Sequence, residues 1–157
     1  MSREATRRLW ILIASIVVAD QLTKHWALNR LSGDRTIDLV GSLRFNLAFN
    51  RGMAFSQATG AGPVIGALGF VIVIVIVLWL RRSATGVAAV AAGMIVGGAI
   101  GNLIDRLFRG EGWLRGAVVD FIDLQWFPIF NIADSAISIG AVLMILASFR
   151  KPAVPES

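Results

Sequence analysis

Apolar residues gather into four long runs separated by polar segments. Leu9–Leu28 opens with eleven uncharged residues and turns polar at Asp20, Gln21, Lys24 and His25. Pro63–Leu80 is uninterrupted and ends on Arg81-Arg82. Ala84–Ile104 is glycine-rich and leads into Asp105, with Asn102 near its end; Phe130–Phe149 carries Asn131 and Asp134 at its start. Each run approaches the roughly 20 residues a helix needs to cross a bilayer. The pattern therefore predicts helices over about 9–28, 63–80, 84–104 and 130–149, the second and third joined by a tight Arg81-Arg82-Ser83 turn.

Two long segments, roughly 29–62 and 105–129, share one side of these helices. In the first, Phe45, Leu47 and Phe49 alternate with Asn46, Ala48 and Asn50 beyond a Gly41-Ser42 turn. A period of two predicts a strand with one apolar face, hence a small sheet lying face-down on the membrane surface. The second carries Trp113, Trp126 and Phe127, residue types of the interfacial aromatic belt. The expected fold is an all-α membrane protein: four transmembrane helices and a small extracytoplasmic β-sheet in one domain, 1–151, with a disordered tail, 152–157.

Composition narrows the class. Of 157 residues 56% are hydrophobic and 16% charged, against about 25% charged in soluble domains. So small a chain cannot bury that much apolar surface in one core, which excludes a soluble enzyme, a disordered chain and a disulfide scaffold. The absence of cysteine excludes thiol catalysis, Cys-ligated zinc and iron–sulfur clusters.

The net charge of +5 is not a nucleic-acid patch. Both termini and the Arg81-Arg82 turn hold Arg3, Arg7, Arg8, Arg81, Arg82, Arg150 and Lys151 against only Glu4 and Glu156, and elsewhere the charges balance. The positive-inside rule puts that side in the cytoplasm. Reading Arg7-Arg8 and the first run as a cleaved signal peptide would leave three spans, but Asp20 and Lys24 read better as part of a retained helix.

Ionisable groups at span edges are expensive and carry a functional reading by default. Asp20, Lys24, Asn102, Asp105, Arg106, Asn131 and Asp134 all fall at the outer ends of their helices, and Asn50, Arg51 and Asp120 come from the outer segments. No serine motif accompanies His25, no serine stands obviously near Lys24, and no HExxH pattern exists. Carboxylates remain: two aspartates sharing a proton can activate a water against an amide. Asp105, Asp120, Asp123 and Asp134 are the candidates, and spacing does not choose among them. Asp134 follows Asn131 by three, the spacing of a helix-capping box. Gly93, Gly97 and Gly101 with Gly98 read as close helix packing.

In order along the chain, Asp20-Gln21-Leu22-Thr23-Lys24, Asn50-Arg51-Gly52-Met53-Ala54-Phe55-Ser56, Gly101-Asn102-Leu103-Ile104-Asp105-Arg106, Val118-Val119-Asp120-Phe121-Ile122-Asp123 and Phe130-Asn131-Ile132-Ala133-Asp134-Ser135-Ala136 resemble the motifs of the lipoprotein signal peptidases (signal peptidase II), aspartic peptidases of the bacterial cytoplasmic membrane. The resemblance implies Asp120 and Asp134 as the catalytic pair. It implies Asn50, Gly52, Asn102, Arg106 and Asn131 as substrate-binding or supporting residues, and Asp20 with Lys24 as a structural polar pair. It implies a prolipoprotein substrate cleaved before a diacylglyceryl-modified cysteine, contact with membrane lipids, and a site near the outer face of the cytoplasmic membrane. No metal or organic cofactor is called for, and a monomer is expected. Two outer stretches depart from the family pattern: Arg106–Asp120 is longer and Asp123–Phe130 shorter.

A small transporter or channel built on intramembrane carboxylates is the competing reading. It would spread polar groups through the membrane depth, whereas here the cytoplasmic halves of the spans lack them. A structural subunit docking through its glycine stripe gives no reason for the outer Asp and Asn residues.

Overall fold

A computed structural model of the chain describes residues 2–52, 62–83 and 86–149. Its elements run α1 (Arg3–Leu31), β1 (Thr36–Val40), β2 (Leu43–Asn50), α2 (Gly62–Ser83), α3 (Gly86–Phe108), β3 (Val118–Asp123) and α4 (Ile132–Ser148). Residues 53–61, which include Met53 to Ser56 of the second motif, and the tail from 150 lie outside the described residues.

α1 and α2 run past both ends of the apolar runs that predict them and α3 past its far end, while α4 falls within its run. α1 starts at Arg3 because the Ser2 hydroxyl caps it, accepting from Ala5 N–H at 3.1 Å. Glu4 and Arg8 then pair one turn apart. α3 continues four residues beyond Ile104 because Asp105 and Arg106, which read as a helix edge, turn inward and are buried. α1, α2 and α3 are long and apolar enough to cross a membrane. α4 is apolar but has 17 residues, about 25 Å of helix.

α3 is the hub, packing against α1, α2 and α4. Small residues make this possible. A Cβ on Gly98 would run into the Ala133 carbonyl and meet Ile137 Cγ1 at 2.8 Å, and one on Gly101 would meet Asp20 Oδ2 at 2.6 Å. Glycine at these two positions lets the start of α4 and the polar end of α1 close on α3. Leu9, Ile13, Ala89, Ala92, Val96 and Leu80 form the apolar core at the other end of the bundle. α2 packs chiefly on α3 and leaves Val64, Leu68, Phe70, Val71, Val75 and Leu78 exposed, an apolar surface that suits lipid.

The sheet is antiparallel in the order β1-β2-β3. Its third strand, Val118–Asp123, is absent from the pattern-based reading, because a strand buried on both faces shows no polar alternation. Phe45 pairs with Ile122 but Ala48 with Asp120, so β2 carries one extra residue between them. That bulge breaks the single apolar face expected of Phe45, Leu47 and Phe49. Phe45 and Leu47 pack against Ala27, Leu31 and Phe121 at the end of α1, with Trp26 edge-on to Phe45 at 5.1 Å between centroids. Phe49 instead stands 57% exposed.

Candidate active site

The polar ends of α1, α3 and α4 meet β3 in a buried network, and its centre is a lysine. Lys24 Nζ lies 2.8 Å from Asp20 Oδ2, 2.8 Å from Asp105 Oδ2 and 2.9 Å from Asn102 Oδ1. An ammonium has three donors and no acceptor, so all three are used. Lys24, Asp20 and Asp105 are fully buried. At that depth a charge is tolerated only when paired and hydrogen-bonded.

The two acids spend their remaining lone pairs on structure. Asp20 Oδ1 accepts the Ala133 N–H at 3.0 Å, tying α1 to the first turn of α4. Asp105 accepts the Val119 N–H at 3.1 Å and Arg109 Nε at 2.6 Å. Asp105 thus fixes the backbone of β3 one residue before Asp120. Gln21 bridges Asp20, the Gly101 carbonyl and Asp105 through its side-chain amide. Gln21 and Arg109 escape the sequence-based list of site residues. The signal for Arg109 is its place four residues after Asp105, visible once α3 is taken beyond Ile104.

Asp120 and Asp134 come from different elements and are joined through Asn131. Asn131 is fully buried and is the N-cap of α4, its Oδ1 accepting the Asp134 N–H at 2.9 Å. Asp134 Oδ2 accepts the Asn131 N–H at 3.3 Å, which completes a capping box. Asn131 Nδ2 donates to Asp120 Oδ1 at 2.6 Å and approaches the Val119 carbonyl and Asn102 Oδ1. Asn102 Nδ2 donates to Asp134 Oδ1 at 2.8 Å. The capping geometry read from the 131/134 spacing is therefore real, and it aims the Asp134 side chain without removing it from the groove.

Asp120 is 3% exposed and Asp134 half-buried. Both line a groove of about 690 Å³ whose walls are Trp126, Phe127, Phe130 and Ile139, with Asn50 at its edge. A second groove of about 540 Å³ shares Asn50 and Asp134 and adds Gly52, Asn102 and Arg106 against the small residues Gly66, Gly69 and Ala99. Asn50 shapes its own loop by accepting the Gly52 N–H at 3.1 Å. Arg106 is buried, and among the described residues its Nη1 finds no hydrogen-bond partner. An unsatisfied guanidinium nitrogen beside a groove is available to a carbonyl oxygen.

Burial first, and the charge of Asp134 second, push the Asp120 carboxyl up to about 7, against the opposing pull of Asn131, Lys24 and Asn50. Asp123, another candidate by sequence, behaves differently. Burial pushes its carboxyl up, but hydrogen bonds from Arg44, Asn46 and the Gln125 N–H outweigh this and hold it below the usual carboxylate range. Asp123 pins β2 to β3 and Asp105 pins α3 to β3, while of these four candidates Asp120 and Asp134 line the two grooves just described. Among the described residues no group of three or more His, Asp or Glu side chains is arranged to hold a metal ion.

The chain is similar to known proteins over most of its length. The family model described as Signal peptidase (SPase) II matches residues 12–150. The chain belongs to the signal peptidase II family. It is 40% identical over 143 residues to a lipoprotein signal peptidase of Mycobacterium leprae, covering 90% of this chain and 71% of the relative. The identity to that of Mycobacterium avium is also 40%, over 146 residues, covering 90% and 80%. A bacterial membrane enzyme solved by the in meso method at 2.3 Å superposes with a TM-score of 0.79 at 28% identity, covering 94% of each chain. A second such structure, at 1.9 Å, gives 0.79 at 29% identity. As a signal peptidase II the chain is a peptidase, and its apolar helices are those of a membrane protein.

Proposed function

We propose that this signal peptidase II removes signal peptides from diacylglyceryl-modified prolipoproteins by cutting just before the lipidated cysteine, with Asp120 and Asp134 as an aspartic pair. Removal of signal peptides from prolipoproteins is the activity of the family. The observation that carries the catalytic assignment is the meeting of Asp120 and Asp134 at one groove, bridged by Asn131. Two carboxyls that face one groove and repel each other do not both ionise cheaply, so the pair holds one proton and a water can be activated against the peptide carbonyl. Asn102 and Asn131 hold the pair, while Arg106, Asn50 and Gly52 face the substrate's backbone.

The setting supports the same reading. Four spans fit if α4, at the lower limit of spanning length, crosses beside α3. The charge asymmetry then leaves both termini cytoplasmic and the sheet and groove at the outer surface, the depth at which a membrane-anchored signal helix meets its lipidated cysteine. Residues 1–151 act as one domain. All the named side chains come from one chain, which supports a monomer.

The test uses purified protein with a prolipoprotein and with the same precursor lacking its lipid. Cleavage before the cysteine in the modified form alone is expected. Equal cleavage of the unmodified precursor contradicts the substrate assignment.

A further inference from the structure

The amide of Asn102 sits between the buried ammonium of Lys24 and the carboxyl of Asp134. Because an ammonium only donates, the Asn102 atom facing it must be the oxygen, at 2.9 Å. The Asn102 NH2 group is then turned the other way, onto Asp134 Oδ1 at 2.8 Å. An amide nitrogen cannot accept a hydrogen bond, so Asp134 Oδ1 must present a lone pair. The second oxygen of Asp134 accepts the Asn131 N–H. Both of its oxygens therefore accept from donors, an arrangement that favours the charged carboxylate.

Asp120 is held differently. The Asn131 amide is also fixed in direction, since its oxygen takes the Asp134 N–H and its nitrogen faces the Val119 carbonyl. It donates to Asp120 Oδ1 at 2.6 Å, the one side-chain hydrogen bond of good geometry that this carboxyl accepts among the described residues, and Asn50 pulls on it more weakly. Asp120 thus accepts one such hydrogen bond where Asp134 accepts two, and it is the more deeply buried carboxyl, where ionisation costs more.

We propose that Lys24, acting through the forced orientation of Asn102, is the positioning residue that selects Asp134 as the charged member of the pair and leaves the resting proton on Asp120. This rests on the dyad reading and deepens it. Asp134 takes a proton from the attacking water as its oxygen bonds to the carbonyl carbon, and Asp120 gives its proton to the carbonyl oxygen. When the C–N bond breaks, Asp134 returns its proton to the leaving amine and Asp120 regains one from the diol. The charged groups facing the pair are Lys24 and Asp20 on α1 and Asp105 and Arg106 on α3. The direct pull of Lys24 reaches Asp120 too, so positive charge favours an ionised group in the pair, while burial and donor number decide which one. α2 carries no ionisable residue before Arg81.

The test is carboxyl-carbon NMR on the full chain with 13C-labelled aspartate, in detergent at pH 6, each resonance assigned by its loss in Asp120→Asn or Asp134→Asn. The expected result is a protonated Asp120 and an ionised Asp134. In Asn102→Ala, which leaves the Lys24 ion pairs intact, the two resonances move toward each other. The acid limb of kcat/KM against pH then rises by about one unit, the loss of one charged hydrogen bond. Lys24→Met shifts the limb the same way, Lys24→Arg keeps it, and Lys24→Met added to Asn102→Ala moves it no further. A protonated Asp134 in the unaltered protein, or resonances and acid limb unmoved by Asn102→Ala, overturns the proposal. Failure of the dyad reading would look different: Asp120→Asn or Asp134→Asn would still cleave.

Discussion

The side-chain amide of Asn131 reaches Asp120 Oδ1 at 2.6 Å while the same residue caps the helix that carries Asp134. One asparagine thus sets both the start of α4 and the direction of a carboxyl on β3. Asn131→Ala is expected to cost about 1 kcal/mol through the lost cap. It should cost more in rate, on the order of a hundredfold, through the released Asp120. Asn131→Asp keeps a capping oxygen but buries a further carboxylate against Asp120, the Val119 carbonyl and Asn102 Oδ1, so neither thermal stability nor cleavage should recover.

The position of Asp120 gives a pH signature. With its carboxyl pushed up to about 7, the shared proton is lost as pH rises through that value, and kcat/KM should fall about tenfold per unit above it. Stability follows the same sign. Between about pH 4, where an unfolded aspartate releases its proton, and pH 7, the folded chain still holds one, so stability declines as pH rises. Asp120→Asn removes that decline and should raise the unfolding temperature at pH 8 relative to the unaltered chain. A variant no more stable at pH 8 than at pH 5, relative to the unaltered chain, would refute it.

The two kinds of ion pair should separate clearly on mutation. Asp105→Ala leaves Lys24 buried with one acid fewer and frees the Val119 N–H, an expected loss of about 3–5 kcal/mol. Glu4→Ala breaks an exposed pair on α1 and should cost under about 1 kcal/mol. Denaturation in detergent measures both, and similar losses would show that the buried network is not a structural anchor.

Gly98 faces the Ala133 carbonyl, one residue before Asp134. Gly98→Val should force α4 away from α3, costing roughly 1–3 kcal/mol of overpacking and most of the cleavage activity. Gly69→Ala should be mild, since its nearest neighbour, a Leu103 side-chain carbon, stands 3.7 Å from the added Cβ.

Much of this was legible from the chain because membrane helices announce themselves by length and because buried charge in an apolar run is conspicuous. All four helices were visible in that way, and the β2 strand through its alternation of apolar and polar residues. β3 was not, since Val118, Val119 and Phe121 are buried and no alternation marks them. The bulge that turns Phe49 outward was also hidden, as it depends on pairing with a strand some 70 residues away. Among the carboxyls, spacing left Asp105, Asp120, Asp123 and Asp134 equivalent. What separates them is partners: Arg44 and Asn46 for Asp123, and Lys24 and Arg109 for Asp105. These come from other elements or from a turn of α3 beyond its apolar run.

The most direct test of the account is cleavage of a diacylglyceryl-modified prolipoprotein by the purified protein, by Asp120→Asn and by Asp134→Asn, each inserted in membranes to the same level. The account predicts processing by the unaltered enzyme and none by either variant. Full processing by one of the variants would contradict it.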